Sequence, residues 1–118
     1  MITSKRNKGE NIVVSLDERF RLKEGDSAST ENFKVTLDRI SVLENSRYTV
    51  KTRVYFILEY NGKTFKMYAP TQEHQAEKMY PIGVNPTIGG VSVGEYDIAI
   101  EGLDLSSREI ILRISKNK

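Results

Sequence analysis

The stretch between residues 48 and 69, YTVKTRVYFILEYNGKTFKMYA, constrains the fold of this chain more than any other. Its Asn61-Gly62 dipeptide readily adopts the positive φ angles of a type I′ turn, and alternating residues flank it on both sides. A two-residue turn fixes the register, because Tyr60 then faces Lys63 and partners step in twos along each strand. The stretch therefore predicts a β-hairpin with defined cross-strand pairs.

The predicted register gives the hairpin two different faces. The apolar face pairs Leu58 with Phe65 and Phe56 with Met67, continues through Val54, Thr52, Val50 and Tyr48, and is expected to join the core. The other face pairs Glu59 with Thr64, Ile57 with Lys66, and Tyr55 with Tyr68.

Alternating residues predict further strands, and no segment predicts a convincing helix. The strands are expected near residues 11–16, 33–43, 91–93, 95–101 and 109–115, with turns or loops at 25–29 and 44–46. Residues 33–43 change parity at Asp38-Arg39, which predicts a bulge that returns Ile40 and Val42 to the core face. Residues 70–94 are expected to form a long Pro- and Gly-containing loop, with at most one helical turn at 73–79.

This pattern predicts one all-β domain, most similar to a small antiparallel barrel of the oligonucleotide/oligosaccharide-binding (OB) type. Residues 1–10 are expected to be a disordered lead, residues 11–115 the barrel, and residues 116–118 a tail. No apolar run approaches the roughly 18 residues of a membrane span, and no signal-peptide pattern opens the sequence.

The net charge of +2 conceals an uneven distribution along the chain. Five of the 18 basic residues lie in the terminal segments, which leaves 13 basic against 16 acidic residues between positions 9 and 115. A groove that follows nucleic-acid phosphates needs the opposite balance, so the charge disfavours a nucleic-acid partner.

Few residues suit catalysis or metal binding. The chain has no Cys, which excludes disulfides and thiolate chemistry, and its single histidine, His74, lies in a polar segment where a solvated surface role is expected. Glu73 and Glu77 lack the apolar surroundings that would separate their pKa values. The glycines at 89, 90 and 94 do not match a dinucleotide-binding spacing. We therefore expect no enzyme activity, no metal and no cofactor.

The polar face of the hairpin is the best candidate contact surface. Tyr55 and Tyr68 lie opposite one another, and Lys51, Arg53 and Lys66 share their face. Such a face has three interpretations: an ordinary cross-strand aromatic pair, a protein-binding face, or a stacking platform for single-stranded nucleic acid. We add His74 and Tyr80, from the neighbouring long loop, to the candidate residues.

Several segments resemble the C-terminal soluble domain of the cytochrome c maturation protein F family, a membrane haem-lyase component of cytochrome c assembly. Residues 32–45 (NFKVTLDRISVLEN) resemble the family's opening strand, and residues 53–70 (RVYFILEYNGKTFKMYAP) resemble its strand, turn and following strand. Residues 78–80 (KMY) with the loop after them, residues 95–102 (EYDIAIEG) and residues 109–114 (EIILRI) are similar to later parts of the family pattern. The similarity covers about 85 residues, mostly as strand patterns.

The resemblance implies a role and also has clear departures. Where the family has Pro-Glu-Lys/Arg-Arg, this chain has PTQEH at residues 70–74, and the family's Trp-rich segment and membrane histidines are absent. No haem-ligating residue can be carried over. The resemblance thus implies a detached, extracytoplasmic module that contacts other cytochrome c assembly proteins or apocytochrome and meets the membrane only through its parent chain. The alternative is a cytoplasmic OB-type module that binds single-stranded nucleic acid.

Overall fold

The computed structural model of the chain describes residues 9–45, 49–71, 74–75 and 89–117. Within these ranges the chain forms strands and connecting turns, with no helix. The strands are β1 (Asn11–Val13), β2 (Arg19–Lys23), β3 (Ser27–Thr30), β4 (Phe33–Asn45), β5 (Thr49–Tyr60), β6 (Lys63–Pro70), β7 (His74–Gln75), β8 (Gly89–Val93), β9 (Tyr96–Asp104) and β10 (Glu109–Lys116). A search of the described residues for a helix able to cross a membrane finds none.

The strands form two sheets. The first has the order β1-β3-β4-β5-β6, with β7 also paired to β5, and the second has the order β2-β10-β9-β8. Every pairing is antiparallel except that of β1 with β3. The all-β prediction is confirmed. The predicted OB-type barrel is not confirmed, since strand pairing among the described residues leaves the two sheets separate.

The inner faces of the two sheets supply one apolar core. The first sheet contributes residues such as Val35 and Phe56, and the second contributes residues such as Ile100 and Leu112, all at most 1% exposed. The alternation predicted for residues 95–101 and 109–115 puts Ile98, Ile100, Ile110, Leu112 and Ile114 in this core. The two-residue period of each strand therefore determines which side chains meet between the sheets.

The hairpin prediction is confirmed pair by pair. Tyr60 faces Lys63, and the pairing continues residue by residue as far as Arg53 opposite Pro70. Asn61 and Gly62 have φ angles of 52° and 76°, as a type I′ turn requires. Turn chemistry and side-chain alternation select the same register, which is why local sequence was sufficient here.

Replacing Gly62 by alanine is expected to destabilise the protein by about 1 kcal/mol, because alanine tolerates a positive φ poorly. No neighbouring atom lies within 4 Å of the position that a Cβ would take, so the cost is conformational and not steric. Urea unfolding of Gly62→Ala measures it. The matched variant Gly62→Asn should lose clearly less, since asparagine adopts this conformation more readily. Equal losses in the two variants would contradict a conformational origin.

The bulge predicted in β4 is present. Leu37 pairs with Phe56 and Arg39 pairs with Tyr55, so Asp38 is the extra residue. Ile40 returns to the core at 3% exposure, as predicted. The expectation that Val42 would also be buried is wrong, because its side chain is 44% exposed.

A polar clamp stabilises the backbone after the bulge. The Ile40 amide donates to the Glu24 carboxylate at 2.8 Å, and the Arg108 guanidinium donates to the same carboxylate at 2.9 Å. Arg108 also donates to the Ile40 carbonyl oxygen. Glu24 and Arg108 thus satisfy the backbone N–H and C=O of Ile40, which face away from β5 at the side of β4 that β3 leaves uncovered.

Burial of the hairpin's apolar face is confirmed on β5 between Thr52 and Leu58 and only in part on β6, and the side chains of Tyr48 and Val50 are outside what the structure describes. Phe56 and Leu58 are at most 1% exposed, whereas Phe65 is 36% exposed and Met67 is half-buried. The expectation that Phe65 would be a core residue is wrong. Among the described strands β6 lies at the edge of the first sheet, where a side chain has neighbours from a single paired strand, β5.

Three turn or helix predictions also need correction. Residues 25–29 were expected to be a turn or loop, but only the first part is a turn, and Ser27–Thr30 forms β3. Pairing with β4 and β1 gives this polar segment a strand conformation that its composition does not favour. The turn expected at 44–46 is wrong for Glu44 and Asn45, which belong to β4, and Ser46 is outside the described residues. The short helical turn expected at 73–79 lies mostly outside them too, but its described residues, His74 and Gln75, pair with β5 as a strand.

Candidate functional site

Three side chains form a row across the outer face of the first sheet. Arg39 of β4 faces Tyr55 of β5, which in turn faces Tyr68 of β6. The Arg39 guanidinium carbon lies 3.8 Å from the centre of the Tyr55 ring, and the two tyrosine rings are 5.6 Å apart at an interplanar angle of 46°. The β4 bulge sets this row, because it brings Arg39 into register with Tyr55.

Arg53 links the two tyrosines from a neighbouring position on β5. Its guanidinium donates a hydrogen bond of 3.3 Å to the Tyr55 hydroxyl, and its guanidinium carbon lies 4.4 Å from the centre of the Tyr68 ring. The hydrogen bond from Arg53, with the positive charges of Arg53 and Arg39, lowers the pKa of Tyr55. The same hydrogen bond raises the pKa of Arg53. We call Arg39, Arg53, Tyr55, Lys66 and Tyr68 the arginine–tyrosine surface.

Positive charge on this surface is poorly neutralised. On the same face, Glu59 lies 3.9 Å from the Lys34 ammonium group, so its charge is already paired. Among the described residues no carboxylate lies within ion-pair distance of Arg39, Arg53 or Lys66. The Tyr68 ring beside these cations is 51% exposed. An excess of cationic donors next to an exposed aromatic ring is suited to binding carboxylates.

The surface borders a shallow depression of about 360 Å³. It is lined by Asp38, Arg39, Tyr55, Phe56, Lys66, Met67 and Tyr68. Asp38, the bulged residue, contributes the acidic group of this lining. The lining therefore combines the cationic side chains of Arg39 and Lys66 with apolar atoms of the hairpin.

No family model, curated protein or solved structure matches this chain.

The structure brings together most of the residues predicted for the contact surface. Arg53, Tyr55, Lys66 and Tyr68 lie as the predicted register requires, and Lys51 shares their face of β5. The backbone of His74 pairs with Val50, beside the same strand, and its side chain is outside what the structure describes. Tyr80 also lies outside the described residues.

Arg39 is the functional candidate that the sequence reasoning did not include. The signal was available, since the predicted bulge at Asp38-Arg39 changes the parity of the following residues. Pairing β4 with β5 across that bulge would have placed Arg39 opposite Tyr55. In the described part of the chain no group of His, Asp and Glu side chains is arranged to hold a metal ion.

Proposed function

We propose that this chain is a non-catalytic domain that binds a partner protein through the arginine–tyrosine surface. The observation that carries the proposal is a set of cations, Arg39, Arg53 and Lys66, for which the described residues supply no carboxylate partner, next to the exposed ring of Tyr68. Arginine and tyrosine are enriched in protein interfaces because they combine large contact area with hydrogen bonding. The paired strands β4, β5 and β6 hold these side chains on one face of the first sheet.

The narrower form of the proposal places the domain in cytochrome c assembly. There it sits on the extracytoplasmic side of a membrane protein and contacts other assembly proteins or apocytochrome. This form rests on the sequence resemblance of residues 32–45 and 53–70. The small OB-type barrel expected from the sequence belongs to the same proposal.

Site-specific photo-crosslinking tests the proposed contact. A benzophenone amino acid replaces Tyr68 in one variant and Val13, which is 85% exposed on β1, in a control. We expect the position 68 variant to crosslink, in cells, to a cytochrome c assembly protein or apocytochrome identified by mass spectrometry. The control should give no such product. Equal labelling at both positions, or no product at position 68, would contradict the proposal.

A haem titration separates partner contact from haem binding. The proposal expects no Soret shift when haem is added to the isolated chain, because haem is handled elsewhere in the parent protein. A saturable Soret shift at equimolar haem would exclude a purely protein-contacting role.

Binding of single-stranded nucleic acid is the second candidate function. It is favoured by one observation: the half-exposed Tyr68 ring lies 4.4 Å from the Arg53 guanidinium, as in a stacking platform beside a phosphate-binding cation. Fluorescence anisotropy with single-stranded DNA tests this function. Binding that falls steeply with salt and is lost in Tyr68→Ala and Lys66→Ala would favour it over protein contact. No binding at low salt would exclude it.

A further inference from the structure

Among the described strands β6 is an edge strand, and the direction of its backbone groups can be assigned from the turn. In a two-residue type I′ hairpin the residues flanking the turn, Tyr60 and Lys63, form a hydrogen-bonded pair, and such pairs recur at every second residue. The N–H and C=O groups of Thr64, Lys66 and Tyr68 therefore point away from β5. β6 ends the first sheet, and the described residues offer these groups no backbone partner.

The geometry of Pro70 agrees with this assignment. Pro70 faces Arg53 and has the same parity as Tyr68, so its missing N–H is on the free side and no β5–β6 hydrogen bond is lost. The edge thus offers three residues with intact donors and acceptors, spaced as in a regular strand.

The two faces of this edge differ in chemistry. On the outer face, Lys66 lies beside Tyr68, in the cationic arginine–tyrosine surface. On the inner face, Phe65 is 36% exposed and Met67 is half-buried, so apolar area is left uncovered next to the edge. A strand added here would meet cations on one face and apolar side chains on the other.

We propose that β6 binds an extended, antiparallel partner segment in which acidic residues alternate with apolar ones. The acidic side chains contact Lys66 and the neighbouring cations, and the apolar ones cover Phe65 and Met67. This inference rests on the proposed partner-binding function and specifies its chemistry and mode.

Charge argues against a second copy of this chain as the occupant. Antiparallel pairing of two β6 edges about their centre would place Lys66 opposite Lys66 of the other copy, and like charges directly opposite one another are destabilising. An acidic strand reverses the sign of this interaction.

Synthetic heptapeptides test the proposed chemistry. The probe is Glu-Val-Glu-Val-Glu-Val-Glu with blocked ends, and its controls are the Lys-Val analogue and a peptide of the same composition with the valines made contiguous. Isothermal titration at physiological salt should show the alternating acidic peptide binding at least about tenfold more tightly than either control, a difference of about 1.4 kcal/mol. Similar affinity for all three peptides would overturn the inference.

N-methylation of the peptide tests the strand pairing itself. In antiparallel addition the peptide residue opposite Lys66 lies on the same outer face and exchanges both backbone hydrogen bonds with Lys66. The glutamates take the outer-face positions, so their amides face β6. The valine amides face solvent. Methylating two internal glutamate amides should abolish binding, whereas methylating two internal valine amides should change affinity less than about threefold. The reverse result would overturn the antiparallel arrangement.

Three variants of the protein complete the test. Lys66→Glu should weaken peptide binding at least about tenfold, whereas Lys63→Glu, with the same charge change on the other face of β6, should weaken it less than about threefold. Thr64→Pro removes one outward N–H and no β5–β6 hydrogen bond, so it should weaken binding while the thermal unfolding midpoint stays near that of the wild type. Full binding by Thr64→Pro would overturn strand addition.

The failure of this inference can be told apart from failure of the proposed function. Crosslinking at position 68 without any peptide selectivity would overturn strand addition and leave the partner contact intact. Selective, N-methylation-sensitive peptide binding without crosslinking to a cytochrome c assembly protein would support strand addition and reject that partner.

Discussion

Replacing Tyr96 by alanine is expected to lower the free energy of unfolding by about 3 to 5 kcal/mol, as for other large buried aromatic residues. Tyr96 is fully buried, stacks on Phe33 with ring centres 4.8 Å apart, and meets the Tyr60 ring edge-on at 5.8 Å. Because Tyr96 belongs to the second sheet and both partners belong to the first, the cluster joins the two sheets. Urea unfolding measures the loss. A change below about 1 kcal/mol would contradict this linking role.

Tyr96→Phe separates the ring from the hydroxyl group. The hydroxyl donates to Glu31 Oε1 at 2.6 Å, and the Lys116 ammonium group lies 3.0 Å from the same oxygen. The phenylalanine variant keeps the stacking and loses one hydrogen bond to a charged group, so a smaller cost of about 1 to 2 kcal/mol is expected.

The wild type and Tyr96→Phe are also expected to differ in how the free energy of unfolding depends on pH. Burial, together with the hydrogen bond to Glu31, raises the pKa of Tyr96. Above about pH 10 the unfolded chain releases this proton and the folded protein retains it, so the free energy of unfolding falls as pH rises, by at most about 1.4 kcal/mol per pH unit. The wild type should therefore lose stability more steeply than Tyr96→Phe in this range. Parallel curves for the two proteins would show that the Tyr96 proton makes no contribution.

Replacing Glu101 by alanine is expected to cost about 3 kcal/mol. The Glu101 side chain is 2% exposed, and its carboxylate binds Arg19 Nε at 2.7 Å and the Arg113 guanidinium. Arg19 and Arg113 face one another across β2 and β10, and the Glu101 carboxylate between them offsets the repulsion of their positive charges. Its removal leaves them opposed at a partly buried position.

Glu109→Ala is the matched control for Glu101→Ala. Glu109 pairs with Arg21 at 2.7 Å on the same sheet, but the Arg21 side chain is 55% exposed. An exposed pair of this kind contributes less than about 1 kcal/mol and weakens with salt. Urea unfolding at low and high salt should therefore show a large, salt-insensitive loss for Glu101→Ala and a small, salt-sensitive one for Glu109→Ala. Equal losses would show that burial of Glu101 has no energetic consequence.

Local sequence was sufficient where one turn and one alternation pattern specify the same pairing. Asn61-Gly62 fixed the β5–β6 register, and that register placed Tyr55, Tyr68 and Lys66 on the face away from the core. The parity change at Asp38-Arg39 predicted the β4 bulge for the same reason, since a single extra residue moves every following side chain to the other face. Gly94 serves backbone geometry, since its φ is 58° and a Cβ would lie 2.5 Å from the Tyr60 ring.

Pairing between strands that are distant in the sequence decided the burial of Glu101, which the alternation pattern did not predict. Glu101 has the parity of a solvent-facing residue on β9. It is buried because Arg19, from β2 near the other end of the chain, and Arg113, from the next strand, cover its carboxylate.

The sequence by itself determined the all-β class, the hairpin register and the polar face that carries the candidate contact residues, because each depends on neighbours within one turn or one strand. Only the tertiary structure decided that the described strands form two sheets and that β6 is the last described strand of the first sheet, with Phe65 partly exposed. These features depend on which distant strands pair, and side-chain periodicity specifies the buried face of a strand without specifying the strand that lies beside it.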